Sequence, residues 1–246
     1  MVDAQYFDAW FADLERHPAR DRIVGRALGL PPGLQTDGVL TWSAMPRVAA
    51  ALGLAPGDTL VDLACGRGAW GVELAAAAGA RLVGVDFSAV ALDVARRRAA
   101  SRGVEATFVL GSLDATGLAD GSASAAVCVD SMQFAPPDAG LAELRRVVAP
   151  GGPVVLTGWA ARDLDDELVP ERLRRDVCGG LVAAGFSAVV EHEEPAWRAV
   201  ERVVWDTAVA APADPADPAL SSMQAEAQGA LQLFDRLRRL WWVARA

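Results

Sequence analysis

Asp62, Gly66, Gly68 and Gly71 stand within ten residues, in the run Val61-Asp62-Leu63-Ala64-Cys65-Gly66-Arg67-Gly68-Ala69-Trp70-Gly71. An apolar segment, Thr59-Leu60-Val61, leads into the acid, and an alanine-rich helical pattern follows the glycines. That order reads as a strand, a tight loop and a helix start. Bare backbone in such a loop lets a ligand approach the N–H groups of the helix N-terminus. The chemistry implied is the binding of a nucleotide-type cofactor.

Two kinds of cofactor fit. Gly66, Gly68 and Gly71 spell G-x-G-x-x-G, and Asp86 closes the next strand, Arg81–Val85, where a ribose-binding acid stands in dinucleotide sites. This leaves an NAD(P)-dependent oxidoreductase as one reading. Asp62, however, sets a negative charge just ahead of the glycines, where a pyrophosphate would be repelled and a cofactor amino group welcomed. Some sixty residues of helical pattern precede this strand. A third strand, Thr107–Leu110, ends in Gly111-Ser112-Leu113-Asp114, a second acid placed to meet an adenine amino group.

On these residues the chain resembles the class I S-adenosylmethionine-dependent methyltransferases. Asp62, Gly66 and Gly68 match the family's first motif, with Ala64 in place of its first glycine. Gly84-Val85-Asp86-Phe87-Ser88, Gly111–Asp114, Ala125–Phe134 and Val148-Ala149-Pro150-Gly151-Gly152 follow in the family's order, over roughly residues 55–160. The resemblance implies S-adenosyl-L-methionine as cofactor. It assigns Asp62 and the backbone at Ala64, Gly66 and Gly68 to the methionine part, and Asp86 to the ribose hydroxyls. Phe87 and Leu113 then pack against adenine, Asp114 accepts from its amino group, and Asp130 and Ser131 lie beside the sulfonium. A non-methylating cyclase of the same fold is a further alternative.

The elements that must position these residues form an α/β fold: a Rossmann-like, seven-stranded, mostly parallel sheet whose last strand is antiparallel and inserted between the fifth and sixth. Residues 1–54 read as an N-terminal helical cap, with Tyr6, Trp10 and Leu14 beside Phe7 and Phe11 as one wide aromatic face. Residues 55–246 read as the core, carrying a helical lid at about 195–236. Ser88 is placed as a helix N-cap. A helix opening at Pro170 and ending at Gly185 carries the stripe Leu173, Val177 and Leu181. Trp197, Val200 and Val204 suggest a short helix, Ala211–Pro218 a stiff linker, and Leu240–Ala244 the final strand.

Composition bounds the partners. The chain has 246 residues, 52% hydrophobic, enough for one core with a small cap, and a formal net charge of −9. With no basic run, a small-molecule acceptor is expected and a nucleic acid is not. No apolar stretch is long enough for a membrane span, and the first residues lack a signal pattern, so a cytoplasmic location is expected. Cys65, Cys128 and Cys178 have no metal-ligand spacing and no dense acid cluster stands out, so metal-independent chemistry is expected. The oligomeric state is left open.

In-line methyl displacement needs alignment and desolvation, and a base only if the nucleophile must lose a proton. His192, which reads as standing just past the sixth strand, His17 and Asp130 are the base candidates. Gln133, after the fourth strand, is the polar group placed to touch an acceptor. Trp10, Trp42, Trp159, Trp197 and Trp205 fall in the cap and lid, where aromatic faces could hold a flat or cationic acceptor. A specialised metabolite is the expected substrate.

Overall fold

The computed structural model describes residues 4–246. One sheet of seven strands organises the chain, in the order β3-β2-β1-β4-β5-β7-β6. The strands are β1 (Thr59–Leu63), β2 (Arg81–Asp86), β3 (Ala106–Leu110), β4 (Ala125–Val129), β5 (Pro153–Ala161), β6 (Ser187–Glu193) and β7 (Leu237–Arg245). Strands β1 to β5 pair in parallel, and β7 pairs antiparallel with both β5 and β6. The expected sheet and the place of its last strand are therefore found.

The central strands explain why this sheet is covered on both faces. β4 reads Ala-Ala-Val-Cys-Val and is buried throughout, as a strand sandwiched between helical layers must be. Helices α4 (Ala69–Ala78) and α5 (Ala89–Arg102) follow β1 and β2, with α6 (Pro137–Val147) and α7 (Val177–Ala183) behind β4 and β5. Ser88 caps α5 by accepting from the Ala91 N–H, satisfying one of the helix's orphan donors.

The cap has α1 (Ala4–Arg16), α2 (Ala19–Leu28) and α3 (Met45–Leu52). The first two form the outer layer. In contrast, α3 puts Met45, Val48 and Leu52 into the main core beside Leu60, Val127 and Val155, so it is a layer of the sheet rather than a cover. Each such fully buried Leu or Val contributes roughly 1.5–3 kcal/mol by leaving water. The lid is α8 (Pro195–Ala210) and α9 (Pro218–Gln232). Val204, Trp205 and Ala208 of α8 and Met223 and Ala227 of α9 pack with Val24 and Leu28 of α2, which ties lid to cap through a separate apolar cluster.

Several local expectations shift. The segment after Pro170 splits into a 3-10 turn, Glu171–Leu173, and the short helix α7, which begins where the Asp176 side chain accepts from the Gly179 N–H. The helix at Trp197 runs sixteen residues rather than being short. The linker ends at Asp217, which caps α9 by accepting from the Leu220 N–H, and Pro218 takes the tolerated first-turn position. β6 continues through Glu193, so His192 lies within the strand and not beyond it.

Candidate functional site

A cavity of about 820 Å³ lies over the C-terminal ends of the central strands, between the sheet below and the cap and lid above. In open α/β sheets, ligands bind in the crevice outside the carboxyl ends of the strands. Because β1 and β2 stand on one side of β4, and β5 and β7 on the other, the cavity has two differently built ends.

The first end is built on the loop after β1. Ala64, Gly66 and Gly68 all adopt the left-handed region, at φ of 54°, 51° and 76°. Ala64 thus takes, with a side chain, a conformation that glycine would adopt without strain. The three glycines have different reasons. A Cβ on Gly66 would fall 2.4 Å from Asp37 Oδ2, one on Gly68 would fall 2.9 Å from Ala95 Cβ, and one on Gly71 would fall 2.5 Å from Asp62 Oδ2. Gly68 therefore serves the packing of the loop on α5, and it does not line the cavity. Gly71 admits the Asp62 carboxylate, whose Oδ2 accepts from the Gly71 N–H at 3.0 Å. An acid so placed holds the N-terminal turn of α4, where a dinucleotide would put its pyrophosphate. The G-x-G-x-x-G spacing is thereby explained without a dinucleotide.

Asp86 faces the same loop from the end of β2. Its Oδ2 accepts from the Gly66 N–H and its Oδ1 from the Ser88 N–H, both at 2.9 Å. A carboxylate has about four acceptor sites, so two further donors can be met. Burial pushes the Asp86 carboxyl up to about 6, against the pull of the Ser88 and Gly66 amides. Burial pushes Asp62 further, to about 8, with the Gly71 amide opposing and Asp86 adding repulsion. Phe87, edge-on to Phe7 at 5.3 Å between ring centres, and Leu113 complete this end. Asp114 does not join them. It is exposed, accepts from Ser112 Oγ at 2.6 Å and lies outside the cavity lining.

The end of β4 lies between the two ends. Asp130 lines the cavity, but its carboxylate is engaged: it accepts from Thr157 Oγ1 at 2.6 Å and from the Val39 N–H at 2.9 Å, and it pairs with Arg239 at 2.7 Å. Those partners pin the segment before α3 to the sheet and occupy both Asp130 carboxylate oxygens. Ser131 donates to the Val129 carbonyl, and Gln133 Nε2 to the Asp130 carbonyl at 2.7 Å. Both line the cavity.

Aromatic side chains and buried ion pairs from scattered segments make the second end. Trp159 and Trp205 line it, whereas Trp10, also a lining residue, packs with Phe7 and Phe11 on the side of Phe87. The indole N–H groups of Trp159 and Trp205 both donate to Glu201, which also pairs with Arg198 at 2.8 Å. The Arg239 guanidinium lies over the Trp159 ring, 4.4 Å from its centre. Trp42 and Trp197 are not brought in: Trp42 stacks on Trp70, and Trp197 is buried against Trp241. His192 stacks on Trp241 at 4.8 Å along the β6–β7 ladder, and neither it nor His17 reaches the cavity. The histidines therefore fall away as bases on geometry.

Asp37, Arg20, Trp70 and Glu226 are among the lining residues that escaped the sequence reading. Asp37 accepts from the Arg67 N–H at the glycine loop and from Arg67 Nε at 2.8 Å, while Arg67 grips Asp21 through two 2.8 Å bonds. The Arg20 guanidinium is buried and donates to the carbonyls of Thr36 and Asp37. Trp70 donates to Thr36 Oγ1. Glu226 projects from α9. Only Glu226 had a usable signal, as the single charge on a face otherwise made of Ser222, Ala225 and Gly229.

Residues 60–152 match the methyltransferase-domain family. A demethylmenaquinone methyltransferase of Thermus thermophilus is 39% identical over 99 residues, 39% of this chain and 45% of that protein. The chain spans less than half the length of the curated relatives it matches. Among solved structures, the [4+2]-cyclase SpnF superposes with a TM-score of 0.74 at 21% identity, covering 98% of this chain and 94% of that one. Geranyl diphosphate C-methyltransferase from Streptomyces coelicolor A3(2), crystallised with S-adenosyl-L-homocysteine, gives 0.67 at 17%, covering 82% and 78%. At those identities the superpositions speak for the fold. The match at residues 60–152 is to a methyltransferase domain, and the strand order and the acid-and-glycine cradle after β1 agree with it.

Proposed function

We propose that this protein transfers the methyl group of S-adenosyl-L-methionine to a small-molecule acceptor held under the lid. The observation that carries the reading is the continuity of one cavity from the Asp86 cradle to the tryptophan-lined end. The cradle itself fits the cofactor. Asp86, held by two backbone amides, keeps acceptor capacity for paired ribose hydroxyls, and Phe87 and Leu113 flank the space a purine needs. The loop at Ala64–Gly66 offers backbone to an amino-acid tail, and Asp62 offers a carboxyl to its ammonium.

When bound, the cofactor supplies a methyl already activated by its sulfonium. The protein's share is alignment and exclusion of water. Asp130, fixed by Thr157, Val39 and Arg239, sets the floor between the two ends, and Gln133 and Ser131 border it. α1 and α9 close the roof, so an acceptor enters a site walled by aromatic faces. A covered chamber of this kind suits a specialised metabolite better than a polymer. No helix among the described residues is long and apolar enough to cross a membrane.

Calorimetric titration with S-adenosyl-L-homocysteine tests the binding half, and transfer of a labelled methyl group to extracted small molecules tests the chemical half. A second reading, a cyclase that binds the cofactor without using it, is favoured by the full-length superposition on SpnF, lid included. Cofactor binding with no labelled product would select it.

A further inference from the structure

The lid helix α9 has two unlike faces. Ala219, Leu220, Met223 and Ala227 are buried, while Ser222, Ala225, Glu226 and Gly229 face the cavity. Three of those four are small, and a Cβ on Gly229 would meet nothing within 4 Å. Ala230 and Gln232 line the chamber further along, and Glu226 is the one charged side chain that the helix presents to it. Glu226 is accessible from the chamber walled by tryptophan, so a group held in that chamber can meet it.

Nothing in the protein does. Glu226 makes no hydrogen bond or ion pair with another described residue. The charged groups that act on it come from the neighbouring cap and lid helices: Arg20 of α2, itself committed to the carbonyls of Thr36 and Asp37, and Glu201 of α8, committed to Arg198 and two indoles. Every other acid described around the cavity has donors: Asp62, Asp86, Asp130, Asp37 and Glu201 each accept at least one hydrogen bond. Glu226 is the acceptor left over.

We propose that Glu226 is the specificity-determining anchor for the acceptor substrate: it takes the hydrogen bond of one hydroxyl or ammonium group on an otherwise apolar, ring-bearing small molecule whose body lies against Trp159 and Trp205. This rests on the reading of the cavity as a methyl-transfer site and narrows its substrate class. The Glu226 carboxylate is open to the chamber, so a donor on the acceptor can reach it and make a charge-assisted hydrogen bond. An acceptor lacking any donor would leave the group unmet.

The test uses the full chain saturated with S-adenosyl-L-homocysteine and three probes of one shape: 2-naphthylmethylamine, 2-naphthalenemethanol and 2-methylnaphthalene. Quenching of the lining tryptophans reads binding. The wild-type complex is expected to hold the amine, the alcohol or both at least fivefold more tightly than the hydrocarbon, and which one assigns the donor. Glu226→Ala should erase the preference, and Glu226→Gln, nearly the same shape, should keep a preference for the alcohol and lose one for the amine. Equal ratios among the three probes in wild type and Glu226→Ala would overturn the proposal. Homocysteine-cofactor affinity is measured first in all three proteins: its absence from wild type would overturn the methyl-transfer reading instead.

Discussion

The two ends of the cavity are built in opposite ways. The cradle end is made by short stretches of chain, residues 62–71 and 86–88, whose backbone amides hold Asp62 and Asp86 in place. The acceptor end is made by side chains from α2, β5, α8 and α9, held by long-range contacts such as Trp159 on Glu201. A site made from backbone tolerates little change in the residues that form it. A site made from side chains on separate helices can be reshaped one position at a time, which suits a common cofactor and a particular acceptor.

Arg67 joins the cradle to the cap, and it carries the largest expected effect. It is fully buried, bonds Asp21 and Asp37 of the cap from the middle of the glycine loop, and its removal would take the guanidinium from both carboxylates. Arg67→Ala is expected to cost about 3–5 kcal/mol of stability, measured by urea unfolding. A loss below about 1 kcal/mol would show the cap to be held independently of the cradle.

Next is the cradle itself. Asp86→Ala should weaken S-adenosyl-L-homocysteine binding more than tenfold, from loss of charge-assisted bonds of about 1.5–3 kcal/mol each. Trp42→Phe and His192→Ala, which alter side chains outside the cavity, should leave that affinity within about twofold.

Protonation gives a further test of the cradle. Asp62 at about 8 and Asp86 at about 6 both lie above the ordinary carboxylate range. A folded state with raised acid pKa values binds more protons than the unfolded chain, so these groups make stability fall as pH rises from about 4 to about 8. A cationic ligand favours the ionised acid. Binding of S-adenosyl-L-methionine at pH 7 should therefore release protons, seen as a dependence of calorimetric heat on buffer ionisation enthalpy. Heats that are the same in phosphate and Tris would contradict the placement of Asp62 beside the cofactor ammonium.

The smallest effect concerns Ala64. Glycine there should relieve a left-handed alanine and raise stability by about 0.5–1 kcal/mol, despite the entropy that glycine adds to the unfolded chain. A thermal melt that moves downward would show that the Ala64 side chain contributes packing that outweighs the strain.

The same contrast explains what could be read before the structure. The strand order, the loop after β1 and Asp86 were legible because their signals are local: an acid at a strand end, glycines at fixed spacing, a serine N-cap. Asp114 misled because an acid in a turn satisfies itself on its neighbour Ser112. Trp42 and Trp197 misled because an indole serves a core as well as a pocket, and sequence position gives no sign of which. Arg20 and Asp37 were invisible because their roles depend on Arg67 and on carbonyls sixteen and more residues distant.

The most direct test of the central claim is calorimetry of the wild-type protein and Asp86→Ala with S-adenosyl-L-homocysteine, run beside NADH. One site for the homocysteine cofactor, weakened more than tenfold by the substitution, with no heat from NADH, is the result expected. Tighter binding of NADH, or homocysteine-cofactor binding indifferent to Asp86, would contradict the account.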